Sequence, residues 1–404
     1  MPDKVEKAAW IAVAVAALGY FVDVFDILLF SVVRTASLRS LGVAEDQLLS
    51  NGIYLLNSQM IGMLVGGVLW GVWADKRGRL SVLFGSIFLY SAANLANVWV
   101  QTVDQYAVLR FLAGFGLAGE LGAGVTLVAE SLPHNRRGIG TTLIATVGVA
   151  GGLAASLVGS FWQWRTAYLI ASVMGFVLLF LRVSVQESGL FKALPTDSRQ
   201  GDLRLLLTSP RLLRYLQCLF VGVPIYFVLG VLVAFAPELG ASRGLGSSLT
   251  AANAVFYSYL GFISGDLASG LLSQAFGSRK IALGVFLAGT LALSAALLWV
   301  GAPSLATVHW LYVGLGFFAG YWAVLVTVAA EQFGTNLRGT VATSLPNFVR
   351  GMVVPMTLSL QFLKPSLGFI TACGVVLAVI GAIAALSLCF LRETFGSHLS
   401  FLEK

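Results

Sequence analysis

Apolar runs of roughly twenty residues, almost free of charge, follow one another along most of the chain. A helix of that length satisfies its own backbone polar groups and spans a hydrocarbon core of ~30 Å. In water, so many such runs would leave too little polar surface. Only 11% of the 404 residues are Asp, Glu, Lys or Arg, where a soluble domain carries about 25%. The mean hydropathy of +0.88 agrees, and the 45 glycines suit helices that approach closely in lipid. The chain therefore reads as an all-α membrane protein.

Twelve transmembrane helices are predicted near 9–33, 51–74, 80–100, 105–130, 139–161, 166–184, 212–237, 250–275, 281–301, 306–332, 340–363 and 367–391. Lys4 and Lys7 precede the first run, but it continues through Asp23 and Asp26 to Val33 without a cleavage site, so it reads as a retained helix. An even number of spans puts both termini on one side. The loops on that side hold Lys76, Arg77, Arg79, Arg136, Arg137, Arg279, Lys280 and Arg338. The opposite loops hold Arg34, Arg39, Arg165, Arg243 and Lys364. The bias predicts cytoplasmic termini and a multi-pass protein of the inner (cytoplasmic) membrane. The net charge of +7 is thus spread over loops rather than gathered into a nucleic-acid-binding face.

The halves repeat. FLAGFGLAGELGAGVTLVAESLPHNRRG from Phe111 matches LYVGLGFFAGYWAVLVTVAAEQFGTNLRG from Leu311. Gly114 is matched to Gly314 and Gly116 to Gly316. After one inserted residue Glu130 falls on Glu331 and Arg137 on Arg338. Gly71-x3-Asp75-x2-Gly78 likewise matches Gly270-x3-Gln274-x2-Gly277. Two six-helix pseudo-symmetric bundles are expected, 1–184 and 212–391, with a polar cytoplasmic linker at 185–211 and a tail at 392–404.

GVWADKRGR, Gly71 to Arg79, has the residue types, spacing and loop position of the major facilitator signature G-x-x-x-D-[RK]-x-G-R, and the chain resembles that superfamily throughout. GYFVDVFD ending at Asp26, the Arg110-x3-Gly114 step, AESLPHNRRG and VQESGLF resemble the superfamily's organic-anion:proton symporters: the metabolite:proton, sialate-lactate and aromatic-acid groups. RETFG near the C-terminus is similar to the sugar-porter ending P-E-T-x-G, with Arg392 in place of Pro. The resemblance implies the major facilitator fold and an inner-gate latch at Gly71, Asp75, Gly78 and Arg79. Gly71 would let a neighbouring helix approach. Glu130, Arg137, Glu331 and Arg338 read as further gate structure, since a Glu and an Arg recur at both cytoplasmic helix ends.

Ionisable residues inside spans cost roughly 2.5–3.5 kcal/mol each at a helix centre, so each needs a partner or a task. They are Asp23, Asp26, Arg110, Glu120, Asp266 and Arg350. Asp23 and Asp26 share a helix face at i, i+3. A rise of ~1.5 Å per residue puts both roughly level with Arg110 of the fourth span. In the superfamily's usual packing the first and fourth helices line the cavity, so the three could meet there. One Arg facing two acids leaves a surplus carboxylate to carry a proton; the alternative is a static ion pair. Glu120, deeper on the fourth helix, either relays protons inward or pairs with the inner gate.

Arg350 lies near the middle of the eleventh span, just after Pro346 and Asn347, where the first half has Val149. Its planar fork suits a carboxylate, so it is the expected anion ligand; the alternative is pairing with an acid such as Asp266. Asn347, Asn57, Gln59, Tyr226, Tyr257, Tyr259 and Trp322 are candidate lining residues.

No phosphate loop, metal spacing or nucleophile–base arrangement is present, so no cofactor, metal or enzymatic role is expected. The reading is proton-coupled symport of a small organic anion by alternating access. Its partners would be that solute, protons and the bilayer, with no nucleic acid and a monomeric state. Proton-driven export of a drug or siderophore-like compound, and sugar transport, are the alternatives. A transport-dead sensor would be expected to carry a soluble output domain.

Overall fold

The computed structural model describes residues 2–77, 79–120, 137–183, 206, 208–301 and 304–396. Most of the expected linker 185–211, and the tail beyond residue 396, lie outside these. The first half contributes α1 (Pro2–Ser40), α2 (Leu48–Arg77), α3 (Arg79–Asn97), α4 (Val103–Leu117), α5 (Arg137–Phe161) and α6 (Trp164–Arg182). The second contributes α7 (Ser209–Phe227), α8 (Ala236–Ser242), α9 (Ala251–Ala275), α10 (Arg279–Trp299), α11 (Leu305–Ala319), α12 (Trp322–Glu331), α13 (Thr335–Gly351) and α14 (Val353–Phe390). Among the described residues, eight helical stretches are long and apolar enough to cross a bilayer. The longest, Thr340–Phe390, breaks at Gly368, whose φ of 74° only glycine adopts without strain.

Helix starts follow local chemistry. Thr102, Thr250, Ser278 and Ser304 each accept a backbone N–H of the first turn with the side-chain oxygen, satisfying a donor that the helix itself cannot. The tenth span is not one helix: α11 ends at Gly320 and α12 restarts after Tyr321, whose φ and ψ of −113° and 19° are not helical. α7 continues through a wide π turn, Val228–Val233, which is buried throughout.

Within the first half α1 lies on α5, α2 on α4, and α3 on α4 and α6. Within the second, α9 lies on α11, α7 on α14, and α10 on α11 and α14. The halves meet where α2 crosses α13 and α14 and where α5 crosses α9. Large apolar side chains such as Phe180 and Phe362, 79% and 82% exposed, cover the outside and would face lipid.

Glycines set the closest crossings. In α2 a Cβ on Gly62 or Gly66 would strike the carbonyl oxygens of Phe111 and Phe115 of α4. In α9, Gly261 and Gly265 stand in the same relation to Val313 and Phe317 of α11. The contact is returned by Gly114, against the carbonyl of Gln59, and by Gly316, against that of Ser258. The equivalent of Gly114 is therefore Gly316, two residues beyond the Gly314 expected from the sequence. G-x-G recurs in both segments, so a shift of two still sets Gly114 on a glycine, and the partner helix tells the registers apart. At Gly71, among the described residues, a Cβ would meet the Thr343 methyl at an ordinary 3.9 Å.

Candidate substrate and coupling site

A cavity lies on the seam between the halves and encloses about 610 Å³, counting the part open to solvent. The first half supplies a largely aliphatic wall of Val24, Ile27, Leu28, Leu56, Met60 and Val149, together with Tyr20 and Ser31. The second supplies Tyr226, Tyr259, Phe262, Trp322 and Arg350, with Leu229 and Gly230 of the π turn. Among the described residues Arg350 is the one charged residue in the lining, and it is buried.

The Arg350 guanidinium is held but not saturated. Its Nε donates to the Tyr226 hydroxyl at 2.9 Å and its Nη2 to Asp23 Oδ2 at 3.3 Å. Trp322 lies beside it, 5.9 Å from guanidinium carbon to ring centroid. Nη1 and the second Asp23 oxygen, Oδ1, have no hydrogen-bond partner. The acid that meets Arg350 is thus Asp23 of α1, not Asp266. Asp266 accepts the Ala323 N–H at 3.0 Å, at the restart of the tenth span. Backbone amides exposed by the break between α11 and α12 can capture a carboxylate, which the sequence does not advertise.

Asp23 and Asp26 part company. Three residues turn a helix through about 300°, so the two side chains diverge by roughly 60°. Asp23 points across the seam while Asp26 stays inside the first half. There Asn94 Nδ2 donates to Asp26 Oδ1 at 2.6 Å, and Arg110 Nη2 donates to Asn94 Oδ1 at 2.5 Å. Arg110 Nη1 stands 4.0 Å from Asp26 Oδ2. The guanidinium also lies over Tyr168, 4.6 Å from the ring centroid, and the Tyr168 and Tyr106 hydroxyls bond at 2.6 Å. Asp26, Asn94 and Arg110 are fully buried. The expected meeting of Asp26 and Arg110 occurs, but Asp23 does not join it.

Glu120 forms an ion pair with Arg182 at the end of α6, both carboxylate oxygens being engaged. Gly19 of α1 leaves the room for it, because a Cβ there would overlap both groups. Neither partner lines the cavity.

Of the lining residues expected from the sequence, the structure puts Tyr226, Tyr259, Trp322 and Arg350 on the cavity wall. Asn57, Gln59, Asn347 and Tyr257 do not line it. Asn57 accepts the Thr357 hydroxyl at 2.7 Å, joining α2 to α14. Asn347 Nδ2 donates to the Ala118 carbonyl at 3.0 Å, tying α13 to the first half. Gln59 is buried where α4 crosses, with neither amide atom partnered. Tyr257 stacks on His309 at 4.1 Å. Tyr259, two residues further and so on the opposite side of α9, faces the cavity instead. Of the gate residues, Glu331 pairs with Arg279 at 3.3 Å and accepts the Thr394 hydroxyl at 2.6 Å. Gly78 and Glu130, and the side chains of Asp75, Arg79, Arg137 and Arg338, lie outside the described residues. Neither Asn94 nor Arg182 is singled out by the sequence reading. A buried amide in an apolar span was the available signal for Asn94.

Two helical halves closing on a small-molecule cavity, with buried charges at its seam, define a multi-pass membrane transporter of small solutes rather than an enzyme. The chain belongs to the Major Facilitator Superfamily, whose sequence profile matches residues 11–354. It is 27% identical over 381 residues to the provisionally named niacin/nicotinamide transporter NiaP of Bacillus subtilis, covering 91% of this chain and 93% of that one. The sialic acid transporter NanX of Escherichia coli is 28% identical over 177 residues, 43% of each chain. The structure of the proton:xylose symporter XylE superposes with a TM-score of 0.74 at 18% identity, over 98% of both chains. The fold is the twelve-helix major facilitator fold.

Proposed function

We propose that the chain carries a small organic carboxylate into the cell together with a proton. The observation that carries this reading is Arg350: a buried cation with an unpaired Nη1, the one charge among the described residues of a cavity whose other surfaces are mostly aliphatic and aromatic. A guanidinium fork matches a carboxylate, and the opposite wall suits an apolar body. Of the solutes in these two relatives' names, niacin and sialic acid are carboxylic acids, while nicotinamide is the neutral amide of the first. The flat ring of niacin fits the aliphatic wall better than the polyhydroxyl body of a sialic acid.

Asp26 with Asn94 and Arg110, Asp23 with Arg350, and Glu120 with Arg182 are the acid groups available to carry the proton. Asp26 and Asp23 lie closest to the substrate side of this arrangement, and Glu120 lies nearer the cytoplasmic end. In this reading the halves, 1–184 and 212–391, rock about the cavity as a monomer in the inner membrane, with both termini, the 185–211 linker and the 392–404 tail in the cytoplasm. Asp75, Arg79, Glu130, Arg137, Glu331 and Arg338 would close the cytoplasmic end.

Proteoliposomes containing a pH-sensitive dye test the proposal. Nicotinate and sialic acid are compared with nicotinamide, which keeps the ring of nicotinate but lacks the carboxylate. Wild type is expected to acidify the lumen with nicotinate and not with nicotinamide, and Arg350→Ala and Asp26→Asn to lose the signal while remaining monodisperse. Proton entry with neither carboxylate, or an unchanged signal in Arg350→Ala, would overturn it.

A further inference from the structure

We infer that Asp23 is an internal stand-in for the substrate's carboxylate: it occupies Arg350 while the cavity is empty and releases it on taking up a proton. The inference rests on the organic-anion reading above and assigns the coupling step to one residue of that site.

Three observations carry it. The Asp23–Arg350 pair is a single contact at 3.3 Å, leaving Asp23 Oδ1 and Arg350 Nη1 unpartnered although both side chains are buried. Such a pair is poorly satisfied where desolvation makes good satisfaction matter most. Second, the pair bridges the seam: Asp23 belongs to α1 of the first half and Arg350 to α13 of the second. Third, Arg350 lines the cavity and Asp23 does not, so an incoming anion reaches the cation from a side that its present partner leaves open.

Charge balance then dictates the exchange. Empty, the pair is neutral. An anion arriving beside an ionised Asp23 would leave a net negative charge in a buried site, at high cost. If a proton from the aqueous phase adds to the Asp23 carboxylate, the acid becomes neutral and Arg350 Nη2 is freed. Nη2 and the already unpaired Nη1 then offer a two-pronged fork to the substrate, and the loaded site is neutral again. Proton and anion therefore enter together, and neither needs a separate gate.

The charged groups within electrostatic reach of Asp23 are Arg350 of α13, Glu120 beyond α4, and Asp26 on its own helix. Glu120 already has Arg182, and Asp26 has Asn94 and Arg110. The tyrosines that sense Asp23 are Tyr20 on α1, Tyr90 on α3, Tyr226 on α7 and Tyr259 on α9. Asp23 is the acid whose sole cation also faces the cavity.

The test is equilibrium binding of nicotinate and of sialic acid to the purified full-length protein at acid and alkaline pH, in wild type and Asp23→Asn. For wild type, affinity should fall up to about tenfold per pH unit once Asp23 is ionised in the empty protein, the slope for one linked proton. Asp23→Asn should bind at alkaline pH as tightly as wild type does at acid pH, with the slope gone. It should still exchange substrate across liposomes but no longer accumulate it against a gradient. A pH slope unchanged in Asp23→Asn overturns the inference alone. Binding of neither carboxylate by wild type at either pH overturns the organic-anion reading and this inference with it. Should Asp23→Asn not fold, wild type decides: in weakly buffered solution at alkaline pH each bound nicotinate should take up about one proton, and no uptake overturns the inference.

Discussion

Arg34 and Glu238 close one end of the seam. The guanidinium, 1% exposed at the end of α1, pairs with the Glu238 carboxylate of α8 at 2.7 Å. It also donates to the Ala234 carbonyl at 3.3 Å and lies over the Phe235 ring at 4.6 Å. A contact between the halves at the end proposed to face outward must break whenever the cavity opens that way. Glu238→Gln keeps the shape but removes the charge, weakening the closed state by roughly 1.5–3 kcal/mol. With Ser31→Cys in the cavity and Cys389 removed, a membrane-impermeant thiol reagent should label Glu238→Gln at least tenfold faster than the parent. Equal rates would show that the pair holds nothing shut.

Gly316 and Gly270 make a matched pair of opposite sign. A Cβ on Gly316 would run into the Ser258 carbonyl, whereas one on Gly270 would meet nothing within 4 Å. Gly316→Ala should therefore push α9 and α11 apart and destabilise by about 1–3 kcal/mol. Gly270→Ala should be neutral or stabilise by up to about 1 kcal/mol through its better helix propensity. Melting of the purified proteins in detergent checks both; similar behaviour would contradict the crossing geometry.

Asn94 is the mediator between Asp26 and Arg110, donating to one and accepting from the other. Asn94→Leu leaves both charges buried without their shared amide and should cost about 1.5–3 kcal/mol. Transport should fall more than stability predicts if the cluster works in coupling. Asn94→Gln, able to make the same bonds after a small shift, should recover part of it. Proton-driven uptake in proteoliposomes and thermal melting, measured on the same preparations, separate the two effects.

Glu393 binds the start of α10 from the chain's last described segment. It accepts the Ser278 hydroxyl and the N–H groups of Arg279 and Lys280 at 3.0 and 3.1 Å, and that of Phe395 at 2.9 Å. Partial burial acts to raise its pKa, but these hydrogen bonds outweigh that and hold it down at about 2. Because the folded value lies below the unfolded one, the stabilisation is complete above the usual carboxylate range. It is lost as pH falls from about 4.5 towards 2. Glu393→Gln should lower stability by about 1 kcal/mol at neutral pH, the side chain being partly exposed. The gap between the melting temperatures of wild type and variant should narrow steadily below about pH 4.5. A gap independent of pH would assign the effect to shape rather than charge.

The membrane class, the two halves and the buried charges were legible because apolar length and the expense of burying an ion both show in one dimension. Of the pairings, the one between Asp26 and Arg110 was legible and the others were not. Asp23 and Asp26 look like one site from their spacing, and a rotation of about 60° sends them to different halves. Tyr257 and Tyr259 are equally plausible as letters, yet α9 turns only the second inward. The register of the repeat failed at Gly114 for a related reason, since G-x-G is its own neighbour under a shift of two. Asp266 is held by a backbone amide at a helix break that no side chain announces.

The cavity's two walls differ in a way that bears on how such a protein changes over time. The lining charge, Arg350, sits on the second half, while the first half offers mostly interchangeable aliphatic bulk beside the hydroxyls of Tyr20 and Ser31. Substitutions at Leu56, Met60 or Val149 can therefore reshape the space for the body of the solute while the grip on its acidic end persists. Such a chain can acquire a new nutrient in small steps, each of which still transports.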